Sequence, residues 1–160
     1  MISVDIVAVG KLKETWMREG CAEYLKRMRL WGSVSITEVE EFRLPDDPSP
    51  AQIAACIEKE GERILQKLPK GAALVAMCIE GRQLSSEGLA QFFEKTTNSG
   101  TSTAAFVIGG SYGLSEAVKQ RAALRLSMSP MTFPHQLARV MLCEQVYRAF
   151  SINAHAKYHK

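Results

Sequence analysis

No apolar run in this chain approaches the roughly 20 residues that a membrane-spanning helix needs. Its first residues, MISVDIVAVGKLKE, lack the basic n-region of a secretory signal and carry Asp5 inside a short apolar alternation. A cytoplasmic protein is expected. Cysteine is sparse. Cys21, Cys56, Cys78 and Cys143 stand far apart with no C-x-x-C pair, which argues against the common zinc spacings and against a disulfide framework and suits small apolar packing residues. Neither G-x-G-x-x-G nor G-x-x-x-x-G-K-[ST] occurs, so the dinucleotide fingerprint and the phosphate loop are both missing. No Ser-His-Asp order surrounds a nucleophile elbow, and no metal-ligand constellation, internal repeat or low-complexity tract is present. Histidine is scarce and unevenly placed: His135, His155 and His159 all fall in the final 26 residues.

What is there reads as one domain over 1–160. Its 46% apolar and 23% charged residues are ordinary for a globular chain of this length and argue against disorder. Residues 2–9 alternate, with Ile2, Val4, Ile6 and Ala8 on one face and Ser3, Asp5, Val7 and Val9 on the other, which predicts a strand covered on both sides. Glu14 to Leu30 reads as a helix with Trp16, Cys21, Tyr24, Leu25 and Met28 on its apolar face. A strand over 33–39 follows, then a proline-rich loop, EEFRLPDDPSP, that forbids regular pairing. Ser49 is placed to cap the next helix, with Pro50 at its first position and Ile53, Ile57, Ile64 and Leu68 as core positions. Residues 72–79 and 104–108 are near-continuous apolar runs, hence buried strands. Glu80 to Leu84 is expected as an exit loop. Ser85 or Ser86 and then Ser115 cap two further helices. Residues 123–128 form a last strand, and Pro134 opens a final helix.

Strands alternating with helices predict an α/β fold, a mainly parallel sheet with helices on both faces. Ligands in such sheets sit beyond the carboxyl ends of the strands. Three loops converge there: the one after Met77-Cys78-Ile79, the turn Gly109-Gly110-Ser111-Tyr112-Gly113, and the segment Ser127 to Pro134. The glycine turn suits either a tight strand-to-helix reversal or close approach to a ligand. The 127–134 segment suits either a rigid loop or a wrap around a flat ring. The last helix is apolar around nearly its whole circumference (Leu137, Val140, Met141, Leu142, Cys143, Val146, Tyr147, Phe150), so it is buried on more than one side, by a second subunit or within the monomer. Residues 134–160 hold Arg139, Arg148, Lys157 and Lys160 against the single acid Glu144. That suits either an anionic partner or a solvated basic tail. Arg148 stands four residues after Glu144. The chain ends on Tyr158-His159-Lys160, a terminus that would ordinarily fray but carries what an RNA contact uses.

At these residues the sequence resembles a known family. Gly10-Lys11-Leu12-Lys13, Leu84 to Ala90, Phe106 to Ser111, Met131 to Gln136, Glu144 to Phe150 and the terminal Tyr158-His159-Lys160 together look like the ribosomal large-subunit methyltransferase H family, of the SPOUT class. The resemblance covers essentially the whole chain. It implies a homodimer with a C-terminal trefoil knot, a feature otherwise nearly absent from proteins. It implies S-adenosylmethionine as methyl donor and N3 of a pseudouridine in helix 69 of 23S rRNA, on assembled 70S ribosomes, as acceptor. Met77, Gly109, Met128, Ser129, Pro130, Met131, Thr132 and Phe133 match the family's cofactor-binding positions. Arg148, Tyr158 and His159 match positions serving the target nucleotide. No metal is implied. A ribosome-binding factor without transferase activity and an NAD-linked oxidoreductase are the rival readings, the second disfavoured by the missing fingerprint.

Overall fold

A computed structural model describes residues 2–160. Strands and helices alternate: β1 (Ser3–Val9), α1 (Thr15–Met28), β2 (Ser33–Val39), α2 (Pro50–Lys67), β3 (Ala73–Gln83), α3 (Ser86–Asn98), β4 (Thr103–Ile108), α4 (Glu116–Arg121), β5 (Leu124–Ser127) and α5 (His135–Asn153). The sheet order is β2-β1-β4-β3-β5, and every pairing is parallel. Crossover helices between successive strands leave that arrangement as the natural one.

The alternation read in β1 divides the core. Val4, Ile6 and Ala8 share a cluster with Val75, Phe106, Met28, Phe93, Leu142, Val146 and Phe150. Val7 and Val9, on the other face, join Leu74, Ala76, Ala105, Val107, Ile64 and Val118. Hence α1, α3 and α5 cover one face, while α2 and α4 cover the other. Strands covered on both faces carry apolar residues almost throughout. Asp5 is the buried polar residue of β1, and its carboxylate accepts hydrogen bonds from Ser35 Oγ and Thr37 Oγ1 on β2, both at 3.0 Å. Helix starts follow the serines. Ser49 makes a capping box with Gln52 ahead of Pro50, Ser85 accepts from Gly88 N at 3.0 Å, and Ser115 accepts from Val118 N at 3.2 Å.

Three expectations are corrected. Trp16 is 56% exposed; the buried stripe of α1 runs Met17, Cys21, Tyr24, Met28, and Trp16 lies about 100° around the helix from it. In α2, Ile53 and Ile57 are only half-buried, whereas Cys56, Glu60 and Gly61 are buried with Ile64. Finally, residues 80–83 are strand, not exit loop. β5 pairs with β3 at Met77↔Leu126 and, past an irregularity, again at Arg82↔Leu126 and Gln83↔Ser127. α5 lies against both α1 and α3, so much of its apolar circumference is buried within one protomer. Leu137, Val140 and Met141 remain half-buried.

Gly81 sits at that irregularity. A Cβ there would lie 2.7 Å from Arg125 C and 2.8 Å from Leu126 N, so only a glycine lets the two backbones close. Gly81→Ala is expected to destabilise the fold by about 1–3 kcal/mol, the usual cost of overpacking a rigid contact, measured by urea denaturation. Unchanged stability would show that the backbones separate freely.

Candidate active site

The irregular stretch within β3 and the loops after β4 and β5 meet around a cavity of ≈ 820 Å³. That lies within the usual range for small-molecule sites. The loop that the sequence suggested after Ile79 is absent, because the strand runs on to Gln83. Met77, Cys78 and Glu80 line one side, Gly109 to Leu114 a second, and Met128, Ser129, Met131, Thr132 and Phe133 a third, with His135 and Gln136 of α5 at the end. Of the eight residues expected at a cofactor site, seven line it. Pro130 does not; it is exposed on the outer side of its loop.

Local chemistry sets the shape of these loops. Gly113 adopts φ +86, a left-handed value that favours glycine, and its N–H donates to Gly110 O at 3.1 Å. A Cβ on Gly109 would lie 2.8 Å from Gly113 C and O, so the turn closes only on glycine. In the third loop, Ser127 Oγ donates to Ser129 O at 3.1 Å and Ser129 Oγ accepts from Met131 N at 3.0 Å. These short side-chain bonds hold the loop as a backbone turn would. The walls are apolar (Met77, Ile108, Leu126, Met128, Phe133), while α5 begins without a side-chain cap. Its first N–H groups therefore remain available donors at one end. Burial, and then the Arg139 guanidinium, hold the His135 imidazole below its ordinary range, which favours its neutral form there.

A second cavity of ≈ 460 Å³ shares Met77, Leu126, Ser127 and Met128 with the first and reaches Glu144 and Gln145 on α5 and Ser85 and Ser86 at the start of α3. Beyond it the chain terminus is docked, not frayed. Glu144 Oε1 accepts from Arg148 Nε at 3.0 Å, Arg148 Nη2 at 2.6 Å and Tyr158 Oη at 3.0 Å. The Arg148 guanidinium stands 4.7 Å from the centroid of the Tyr158 ring, within cation–π range. That ring in turn packs on Tyr147 at 4.5 Å, and Tyr147 stacks on Trp31 at 5.5 Å. His159 Nδ1 lies 3.3 Å from Arg148 Nη1, and its Nε2 lies 2.7 Å from Glu87 Oε1. Gln145 Nε2 donates to Glu144 Oε2, and Ser86 Oγ donates to Gln145 Oε1, both at 2.8 Å. Arg148 of α5 and the adjacent terminal residues Tyr158 and His159 thus form one cluster. Burial, then the bond to Glu144, push the Tyr158 phenol up to about 12.

The basic end is smaller than its sequence suggested. Arg139 is 3% exposed; it pairs with Glu38 at 2.7 Å and donates to Gly10 O at 3.1 Å, tying α5 to the ends of β1 and β2. Arg148 is held by Glu144. Lys157 and Lys160 are left as exposed cations. Sequence reasoning missed Glu87, Ser86 and Gln145 as members of the cluster. The only signals were the acid in the first turn of α3 and the Glu144/Arg148 spacing. Among the described residues no group of His, Cys, Asp and Glu is placed to hold a metal ion, and no helix is long and apolar enough to cross a membrane.

Comparison with known proteins gives this geometry its class. A family model described as a predicted SPOUT methyltransferase matches residues 2–159. The fold is similar to that of a probable methylase family protein from Haemophilus influenzae Rd KW20, with a TM-score of 0.53 at 15% identity over 98% of this chain and 70% of that one. In sequence, the chain is 50% identical to the ribosomal RNA large subunit methyltransferase H of Bifidobacterium animalis subsp. lactis, over 99% of this chain and 100% of that protein. It is 47% identical to the protein of the same name from Pelotomaculum thermopropionicum, over 99% of both. The chain belongs to the SPOUT methyltransferases, and within them to the ribosomal RNA large subunit methyltransferase H family.

Removing the shared acceptor should release the terminus. In Glu144→Ala, residues 156–160 are expected to become substrates for carboxypeptidase digestion while the wild-type terminus resists it. Equal resistance would place the anchor on the Tyr147 ring contact instead.

Proposed function

We propose that this protein transfers a methyl group from S-adenosylmethionine to N3 of a pseudouridine in helix 69 of 23S rRNA, on the assembled 70S ribosome. The observation that carries this reading is the pairing of a full-length match to the methyltransferase H family with two adjoining cavities, one leading to the Arg148, Tyr158 and His159 cluster. The protein acts as a homodimer with a C-terminal trefoil knot. The half-buried Leu137, Val140 and Met141 on α5 support a second subunit there. One subunit holds the cofactor while the other's surface holds rRNA.

The residues present fit the cofactor. Apolar side chains of Met77, Met128 and Phe133 suit a flat ring, the Gly109 turn presents bare backbone, and the uncapped start of α5 suits a carboxylate. Met77, Gly109, Met128, Ser129, Met131, Thr132 and Phe133 would line its site, with Pro130 stiffening the loop from outside. When bound, it supplies a methyl group on a positively charged sulfur. The protein's part is orientation and charge. N3 of a pyrimidine must lose its proton to become a good nucleophile. Arg148, always cationic, favours the resulting anion. Tyr158, with a phenol near 12, keeps its proton at neutral pH and acts as a hydrogen-bond donor. His159 is the group able to take the proton. Phosphate contacts from exposed lysines and arginines make ribosome binding salt-dependent.

The test uses radiolabelled S-adenosylmethionine with ribosomes lacking this methylation, 70S against free 50S, followed by mapping. Label on a helix 69 pseudouridine, mainly with 70S, is expected, and Arg148→Ala or His159→Ala should lower turnover by roughly 10²-fold or more. Tight ribosome binding with no label would establish a binding factor and overturn the proposal.

A further inference from the structure

We propose that Glu87 is a positioning residue for His159: it holds the imidazole as the tautomer with the proton on Nε2 and presents the Nδ1 lone pair to the target site. The inference deepens the function proposed above and rests on it for its catalytic half. The hydrogen-bond inventory of the cluster carries it. A guanidinium has donors only, so His159 Nδ1, 3.3 Å from Arg148 Nη1, faces it with its lone pair. A neutral imidazole then carries its proton on Nε2, which lies 2.7 Å from Glu87 Oε1. An ionised carboxylate accepts only, so the two contacts agree on a single tautomer.

Glu87 suits this work. It occupies the first turn of α3, where a negative charge is favoured. Backbone hydrogen bonding there, and then His159, hold its carboxyl below the usual range. The frame around it is tied from both sides. Ser86, its neighbour, bonds Gln145, which bonds Glu144, and Glu144 engages Arg148 through Nε and Nη2, leaving Nη1 for His159. The side chain of Glu87 is 57% exposed, so its pairing with His159 adds little to stability. Its effect is on the ring's orientation and tautomer.

The chemical consequence is specific. A pyrimidine N3–H replaces Arg148 Nη1 at Nδ1, and the guanidinium turns to a neighbouring carbonyl oxygen of the base. The N3–H bond breaks and the Nδ1–H bond forms. The electron pair left on N3 makes the new bond to the methyl carbon, while the sulfur–carbon pair stays on sulfur. The imidazolium formed on His159 is balanced by Glu87, which itself takes no proton. The logic is that of a carboxylate orienting a catalytic histidine.

Three variants separate this role from a structural one. In the wild-type protein, ¹⁵N-detected imidazole spectra, with His159 assigned by its substitution, should show the Nε2–H tautomer. Glu87→Ala, which leaves only the long 3.3 Å contact of Arg148 to bias the ring, should show a mixture of tautomers, and Glu87→Gln, which still offers an oxygen acceptor, should keep the wild-type tautomer. Both should lower kcat on 70S ribosomes roughly ten-fold or more, with KM for ribosomes and for S-adenosylmethionine within about two-fold, and Glu87→Asp should recover part of the loss. A wild-type tautomer in Glu87→Ala, an unchanged kcat, or a raised KM at constant kcat would each overturn the proposal. If the wild-type protein methylates no rRNA, the function proposed above fails and takes the catalytic half with it. The spectra still decide whether Glu87 sets the ring.

Discussion

The pairing of β5 along β3 is the constraint on which both cavities depend. It places the chain segments after β3, β4 and β5 side by side, because β5 lies on β3 and β3 on β4. The contact is made twice, on either side of the irregularity at 78–81, and Gly81 is the residue that permits it. From there the chain turns directly through the serine-pinned 127–131 loop into α5. The loop that lines the larger cavity and the helix that carries Glu144 and Arg148 are thus consecutive, and Met77, Leu126, Ser127 and Met128 wall both cavities.

Energetics divide along the same line. The fold is held by apolar burial on two sheet faces, where Phe93, Phe106 and Phe150 pack ring to ring and each such residue contributes on the order of 2 kcal/mol by burial. The polar cluster at the terminus is partly exposed and adds little to that sum. What it supplies is geometry. One carboxylate, Glu144, takes donors from Arg148, Tyr158 and Gln145, so the guanidinium and the phenol cannot move independently. Tyr147, itself stacked on Trp31, packs against the Tyr158 ring. A terminus of three residues is ordered by contacts with two helices.

Much of the fold was legible in the sequence because its signals are local. Alternation gave the faces of β1, serines gave the helix starts, and continuous apolar runs gave the buried strands. The meeting of chain segments at one end of the sheet followed from the alternation of strands and helices, which implies parallel strands, although the segment after Met77 proved to be strand. Failures came where the decisive partner is distant in the chain. The strand character of 80–83 depends on β5, more than 40 residues on. Arg139 looked like part of a basic surface, yet its charge is taken by Glu38, 101 residues away. The partner of His159 is 72 residues away, and nothing near the terminus reveals it. Family resemblance pointed to Arg148, Tyr158 and His159, and the i,i+4 spacing pointed to Glu144, but Glu87, Ser86 and Gln145 emerged only from side-chain geometry.

The cavity between β3 and the loops after β4 and β5 is the methyl-donor site we propose. A crystal structure of the protein grown with saturating S-adenosylmethionine tests it most directly. Density for the cofactor is expected between Met77, the Gly109 turn and the Met128 to Phe133 loop, with its carboxylate toward the start of α5. Density elsewhere on the chain, or an empty cavity at saturating cofactor, would contradict it.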